Sequence, residues 1–128
     1  MPALDRLTGT RVVADPAAID ALVVSLPPSI VVIRIAPDDA FAIDAGPVEV
    51  VDLHAIVETE HGFVGGWCTL DDIRPHMEWL PATERPALAQ GSVAGVPAKL
   101  WIVDDGRVLV VAAAAHAHVL AERLGWSR

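Results

Sequence analysis

AQGSVAGVPAKLWIVDDGRVLVV, residues 89–111, is the stretch whose reading decides the fold. Read as a phosphate-binding loop, it would open a helix on a nucleotide-binding sheet. Read as a turn between strands, it makes the end of the chain antiparallel. A phosphate loop needs four residues between its glycines, then Lys-Ser or Lys-Thr at the start of a helix. Here Ser92, Val93 and Ala94 alone separate Gly91 from Gly95, Lys99 stands four residues further on, and Leu-Trp-Ile-Val follows it. Asp104-Asp105-Gly106 is a strong turn signal between KLWIV and RVLVV, with a glycine free to take positive φ. The spacing therefore predicts a hairpin, with Lys99 on a strand and facing solvent.

Downstream, a helix is expected from about Ala114 to Leu124, with Ala117, Leu120 and Leu124 on one face. Gly125 is placed to end it in a left-handed conformation, and Arg123 suits the negative helix end. Upstream, Asp15-Pro16 predicts a helix start, because the carboxylate caps free amides and proline has no N–H to leave unpaired. Ile19, Leu22, Val23 and Leu26 form its apolar stripe, and Pro27-Pro28 stops it. SIVVIRIA (29–36) has the β-branched, nearly continuous look of a central strand. Pro37-Asp38-Asp39 predicts a turn, and residues 40–44 a returning strand. VEVVDLH (48–54) reads as another strand. AIVETE, His61-Gly62 and FVGGWCT read as a hairpin weakened by Gly65 and Gly66. Thr69 with Asp72 suggests a second helix start. Ile73, Met77 and Leu80 would form its face, Pro75 would kink or shorten it, and PATERP (81–86) would be a loop. A strand-helix-strand-strand order occurs twice. The sum is a single α+β domain over residues 1–128, a mainly antiparallel sheet with about three helices packed on it.

Composition narrows function. The chain has 128 residues, 53% of them hydrophobic, and a net charge of −8 with Lys99 as its one lysine. Such a balance repels phosphate backbones and anionic lipid, so neither nucleic acid nor membrane is an expected partner. No secretory signal is visible in MPALDRLTG, and the longest apolar run, VLVVAAAA, is too short to span a bilayer. Cys68 is alone and forms no internal disulfide. A cytoplasmic protein is the expectation. So much apolar content on one small domain predicts surplus greasy surface, to be buried in a homo-oligomer or against a larger partner.

Several stretches together resemble the gamma subunit of heterotetrameric sarcosine oxidase, a family related in fold to folate-binding aminomethyltransferases. They are APDDAF (36–41), VVDLH (50–54), AQGSVAGVPAKLW (89–101) and AAAHAHVLAERL (113–124), and their order agrees over about two thirds of the chain, a domain-sized comparison. The resemblance implies a small, non-catalytic accessory subunit with a split α+β sheet packed on larger partners. Between His54 and Thr69 this sequence lacks the family's basic residue after the histidine and its glycine-led helix start. No folate-contacting residue maps onto a numbered position here.

Candidate chemistry is sparse. Trp67, Trp79, Trp101 and Trp126, with Phe63, are the candidate interface or ligand-contacting residues in a chain without tyrosine. Ordinary core packing accounts for some of them. His54, Glu58 and Glu60 share strand parity and are the candidate metal ligands, although no metal is favoured, because a solvated strand face gives the same pattern. His76 with Glu78 fits a surface pair, His116 and His118 one packed and one exposed residue, and Cys68 a buried small hydrophobe rather than a nucleophile. No cofactor is implied. The leading expectation is association without catalysis. A module for a folate-like or other aromatic ligand near Trp67 and Trp79 comes second, and a small metal-dependent enzyme third.

Overall fold

In the computed structural model, which describes residues 2–79 and 86–127, residues 87–113 form a three-stranded meander. The elements in chain order are β1 (Asp5–Val13), α1 (Pro16–Ser25), β2 (Val32–Ala36), β3 (Asp39–Ile43), β4 (Ile56–Thr69), α2 (Leu70–Ile73), β5 (Ala87–Val93), β6 (Val96–Ile102), β7 (Arg107–Ala113) and α3 (Ala117–Leu124). Single 3-10 turns, Arg74–His76 and Ala114–His116, follow α2 and precede α3. Hydrogen-bonded strand neighbours run in the order β2-β3-β1-β4-β7-β6-β5. The fold is α+β, with three helices and a mainly antiparallel seven-stranded sheet among the described residues. The chain divides into two compact units, Leu7–His61, and Met1–Arg6 with Gly62–Arg128. Each has its own apolar centre.

In the Leu7–His61 unit, α1 begins as its residues dictate. Asp15 accepts a hydrogen bond from the Ala17 amide and Pro16 occupies the first turn. Ile19 and Leu22 are buried against Val12, Ala14 and Ala40. Val23 is exposed instead, because the apolar face of this short helix is no wider than Ala18, Ile19, Leu22 and Leu26. β3 pairs with β1 from Gly9↔Ile43 to Val13↔Asp39, and with β2 through Ile33↔Phe41. SIVVIRIA is therefore an edge strand, not a central one. Its apolar run reflects burial on both faces. Val32 packs towards α1 and Ile33, on the opposite face, is fully buried. An irregularity between Arg34 and Ala36 blunts the edge.

VEVVDLH is not a strand. Val48, Val50 and Ala55 pack on the α1 cluster, and the Asp52 side chain turns the chain by accepting from the His54 amide. Nor do AIVETE and FVGGWCT form a hairpin. β4 is continuous through His61 and Gly62. FVGGWCT pairs instead with β7, from Phe63↔Ala113 to Thr69↔Arg107.

In the other unit, the predicted hairpin around Asp104-Asp105-Gly106 joins β6 to β7, with Gly106 at φ +86°. AQGSV adds a further strand, β5, paired residue by residue with β6 from Ala87↔Ile102 to Val93↔Val96. The connection is Ala94-Gly95, at φ +50° and +78°, a two-residue turn whose twist matches the strands. Thr69 and Asp72 exchange both bonds of a capping box, and α2 stops at Ile73, before Pro75. Leu80 and residues 81–85 of the expected loop lie outside the described residues. α3 ends at Gly125, which is left-handed as expected. Ile73, Leu120, Ala121 and Leu124 press on the same face of the sheet as Val64, Cys68, Leu100, Val108 and Val110.

Candidate functional site

Strand alternation gives the second unit's sheet an opposite face, and its residues are unusual. Cross-strand register aligns Trp67 on β4, Leu109 on β7, Trp101 on β6 and Leu88 on β5 in a single row. A one-sided antiparallel sheet is expected to alternate apolar-in with polar-out. Here the outward positions include Phe63 and Trp67 on β4, Leu109 and Val111, both buried, on β7, and Trp101 on β6, with the polar Lys99, Gln90 and Ser92 towards one end of β6 and β5. Trp67 remains 42% exposed, and Phe63 and Trp101 are half-buried. Two of the few cations lie on this face. The Arg107 guanidinium sits 5.1 Å from the centre of the Trp67 ring, and Lys99 Nζ 5.7 Å from that of Phe63. Arg107 Nε also donates to Asp105 at 2.8 Å. Lys99 is thus half-buried over an aromatic ring, not simply held out to solvent.

Trp79 belongs to the other face. It packs against the unit's core cluster and lines a cleft of about 450 Å³ with Pro75, His76, Met77 and Glu78. Trp67 and Trp79 therefore do not meet in one pocket. Trp126 packs on that core near α3, beside a smaller cleft of about 250 Å³.

The metal-ligand candidates are all in the Leu7–His61 unit, and they are not brought together. Glu60 accepts from Arg11 Nη1 at 2.7 Å, Glu58 lines a separate cleft of about 470 Å³ beside Asp44, and His54 sits in the turn that Asp52 holds. Among the described residues no three His, Cys, Asp or Glu side chains converge. Arg11 also grips Asp39 with two bonds, Nε to Oδ1 at 2.6 Å and Nη2 to Oδ2 at 2.7 Å. Asp39, then Glu60, hold the guanidinium protonated well beyond its ordinary range. This is a structural brace across β1, β3 and β4.

Asp52 is a second brace. Its two oxygens accept from the Asp15 and His54 amides, both at or below 2.9 Å, and the Asp15 bond, then the His54 bond, lowers its carboxyl pKa. A carboxylate with a depressed folded pKa contributes stability above its unfolded value, near 3.9, and loses it as pH falls through the lower folded value. Protection of the Asp15 and His54 amides, measured against their intrinsic exchange rates, is accordingly expected to fall below about pH 4, more than that of other amides does. Asp52→Asn should show raised exchange at neutral pH and no further acid step, because its amide does not titrate. An acid step retained in the variant would assign the effect elsewhere.

The remaining candidates are quiet. Burial pushes the Cys68 thiol up to about 12, the opposite of what a nucleophile needs. His116 and His118 are both exposed, where one packed residue was expected. The turn of α3 onto its Leu120 face leaves both outside, and His118 lies 3.7 Å from Glu122. His76 is half-buried in the Trp79 cleft. No helix among the described residues is long and apolar enough to cross a membrane. No protein-family model matches the chain, and no curated protein is significantly similar to it.

Proposed function

We propose that the protein works by association, not catalysis, and that its partner is a second copy seated on the Trp67–Leu109–Trp101–Leu88 face. The observation that carries this reading is the row itself. Two indoles, one of them 42% exposed, stand where a water-facing sheet would carry polar side chains. Two such faces stack as sheets do in a sandwich, about 10 Å apart. Charge does not oppose the contact, because Asp105 neutralises Arg107 within each copy and Lys99 lies over Phe63. The four strands of the face, at ~4.8 Å spacing and ~3.4 Å rise, cover roughly 20 Å by 24 Å. That is below the ~800 Å² per partner of a standard permanent interface, so the dimer is weak and reversible.

Sedimentation velocity from about 5 to 200 μM, a range suited to weak contacts, tests it. The expected result is a shift from monomer towards dimer with rising concentration, abolished by Trp67→Arg. A strict monomer throughout, or a dimer indifferent to Trp67→Arg, would overturn the reading. The first result would hand the face to a larger protein, the arrangement that the accessory-subunit resemblance implies.

A further inference from the structure

We propose that the cleft walled by Trp79 binds a small planar aromatic cation, such as an amidinium or a protonated aminoheterocycle. This site is independent of the dimer face, since it lies on the other side of the sheet.

Gly91 creates it. A β-carbon built on Gly91 would fall 2.8 Å from Trp79 Cε2 and 3.0 Å from Nε1, so only glycine lets the indole lie against β5. The ring is then fixed in orientation, because Trp79 Nε1 donates to the Ser92 carbonyl at 2.7 Å. The opposite wall is the Ala94-Gly95 turn, and it is tied down twice. The Ala94 amide donates to the His76 carbonyl at 2.7 Å, and Arg123 Nη1 donates to the Ala94 carbonyl at 2.7 Å. Both walls are held before any ligand arrives, which lowers the ordering cost of binding.

The lining sets the ligand class. The cleft, about 450 Å³, falls in the range of small-molecule sites, roughly 300–1,000 Å³. Trp79 offers a flat π-system, the best side chain for attracting a cation, and Pro75 and Met77 add apolar surface. Glu78 supplies an anionic acceptor, and among the described lining residues there is no Lys or Arg to hold a phosphate or carboxylate. Arg123 is not among the lining residues, and its guanidinium is engaged by the Ala94 carbonyl. A planar ring stacks on the indole, while its charged N–H edge meets Glu78.

Benzamidinium and its neutral near-isostere benzamide are the probes, and the indole Nε1–H resonances of the ¹⁵N-labelled full chain are the readout. Saturable displacement of the Trp79 resonance by benzamidinium is expected at millimolar concentration, with benzamide at least about 5-fold weaker. Glu78→Gln, a change on an exposed side chain, should shrink that difference. Gly91→Val should abolish the response by displacing the indole, while unchanged Trp67 and Trp101 resonances show that the sheet persists. If Trp79 stays silent in the wild-type chain up to about 20 mM benzamidinium, far weaker than any specific site, or if benzamide binds as well, the proposal is wrong.

Discussion

Replacing Leu100 with alanine is expected to remove about 2–5 kcal/mol of stability, a large share of what a small domain has. Leu100 lies mid-strand in β6 and is fully buried. Its register neighbours are Ala89 on β5 and Val110 on β7, and strands pinned on both sides cannot close in on a vacated volume. Urea unfolding followed by circular dichroism should show a lower midpoint with an unchanged slope. Leu53→Ala is the matched control. Its side chain is 99% exposed, so a shift within about 0.5 kcal/mol is expected. Equal losses from the two variants would mean that the apolar centre has been misplaced.

Gly66→Val should be nearly as damaging, through crowding rather than a void. A β-carbon at Gly66 would stand 2.2 Å from the Ala3 carbonyl oxygen and 3.1 Å from Trp126 Cζ3. Inserting volume into a packed core costs about 1–3 kcal/mol, and backbone on one side makes the upper end the expected value. The contacts that give way are the Leu4 amide to the Ser127 carbonyl, at 2.9 Å, and the Ser127 amide to the Pro2 carbonyl, at 3.3 Å. Faster exchange at Leu4 and Ser127 and a red-shifted Trp126 emission are therefore expected together. Gly66→Ala should change them in the same direction. Slow exchange retained at both amides in Gly66→Val would show that the chain end does not depend on that glycine.

Local punctuation in this sequence is reliable where a backbone group must be satisfied within a few residues. Asp15-Pro16, Thr69 with Asp72, Asp104-Asp105-Gly106 and Gly125 all act as their chemistry requires. Readings fail where a distant partner decides. His61-Gly62 resembles a turn, but β7 lies more than forty residues on and captures the second half of the strand. VEVVDLH has strand-forming residues, yet Val48 and Val50 pack on the α1 cluster, Val51 is exposed, and its aspartate ties back to Asp15. Ala94-Gly95 was hidden because an alanine holds the left-handed position that asparagine or glycine normally marks.

The aromatic residues were legible as candidates but not as an arrangement. Alternation places Phe63 and Trp67 together on β4, but joining them to Trp101 requires the pairing through Leu109. The seat for Trp79 is harder still to see, since Gly91 lies twelve residues away across residues 80–85. One signal was present. A glycine inside a strand marks close approach by another group, and in AQGSV that group is an indole.

The chain's two units differ in how they can be made. Leu7–His61 is one uninterrupted stretch, so the residues of its strands, its helix and the apolar cluster beneath α1 have all been joined once residue 61 is synthesised. Translation of the rest then takes several seconds, at ~5–20 residues per second. Ala3 and Leu4 are made long before the residue that holds them, because their bridge is to Ser127. During synthesis the Ala3-Leu4 segment thus waits for its bridge until residue 127 has followed, and Leu4 stays open to chaperones and proteases throughout that interval.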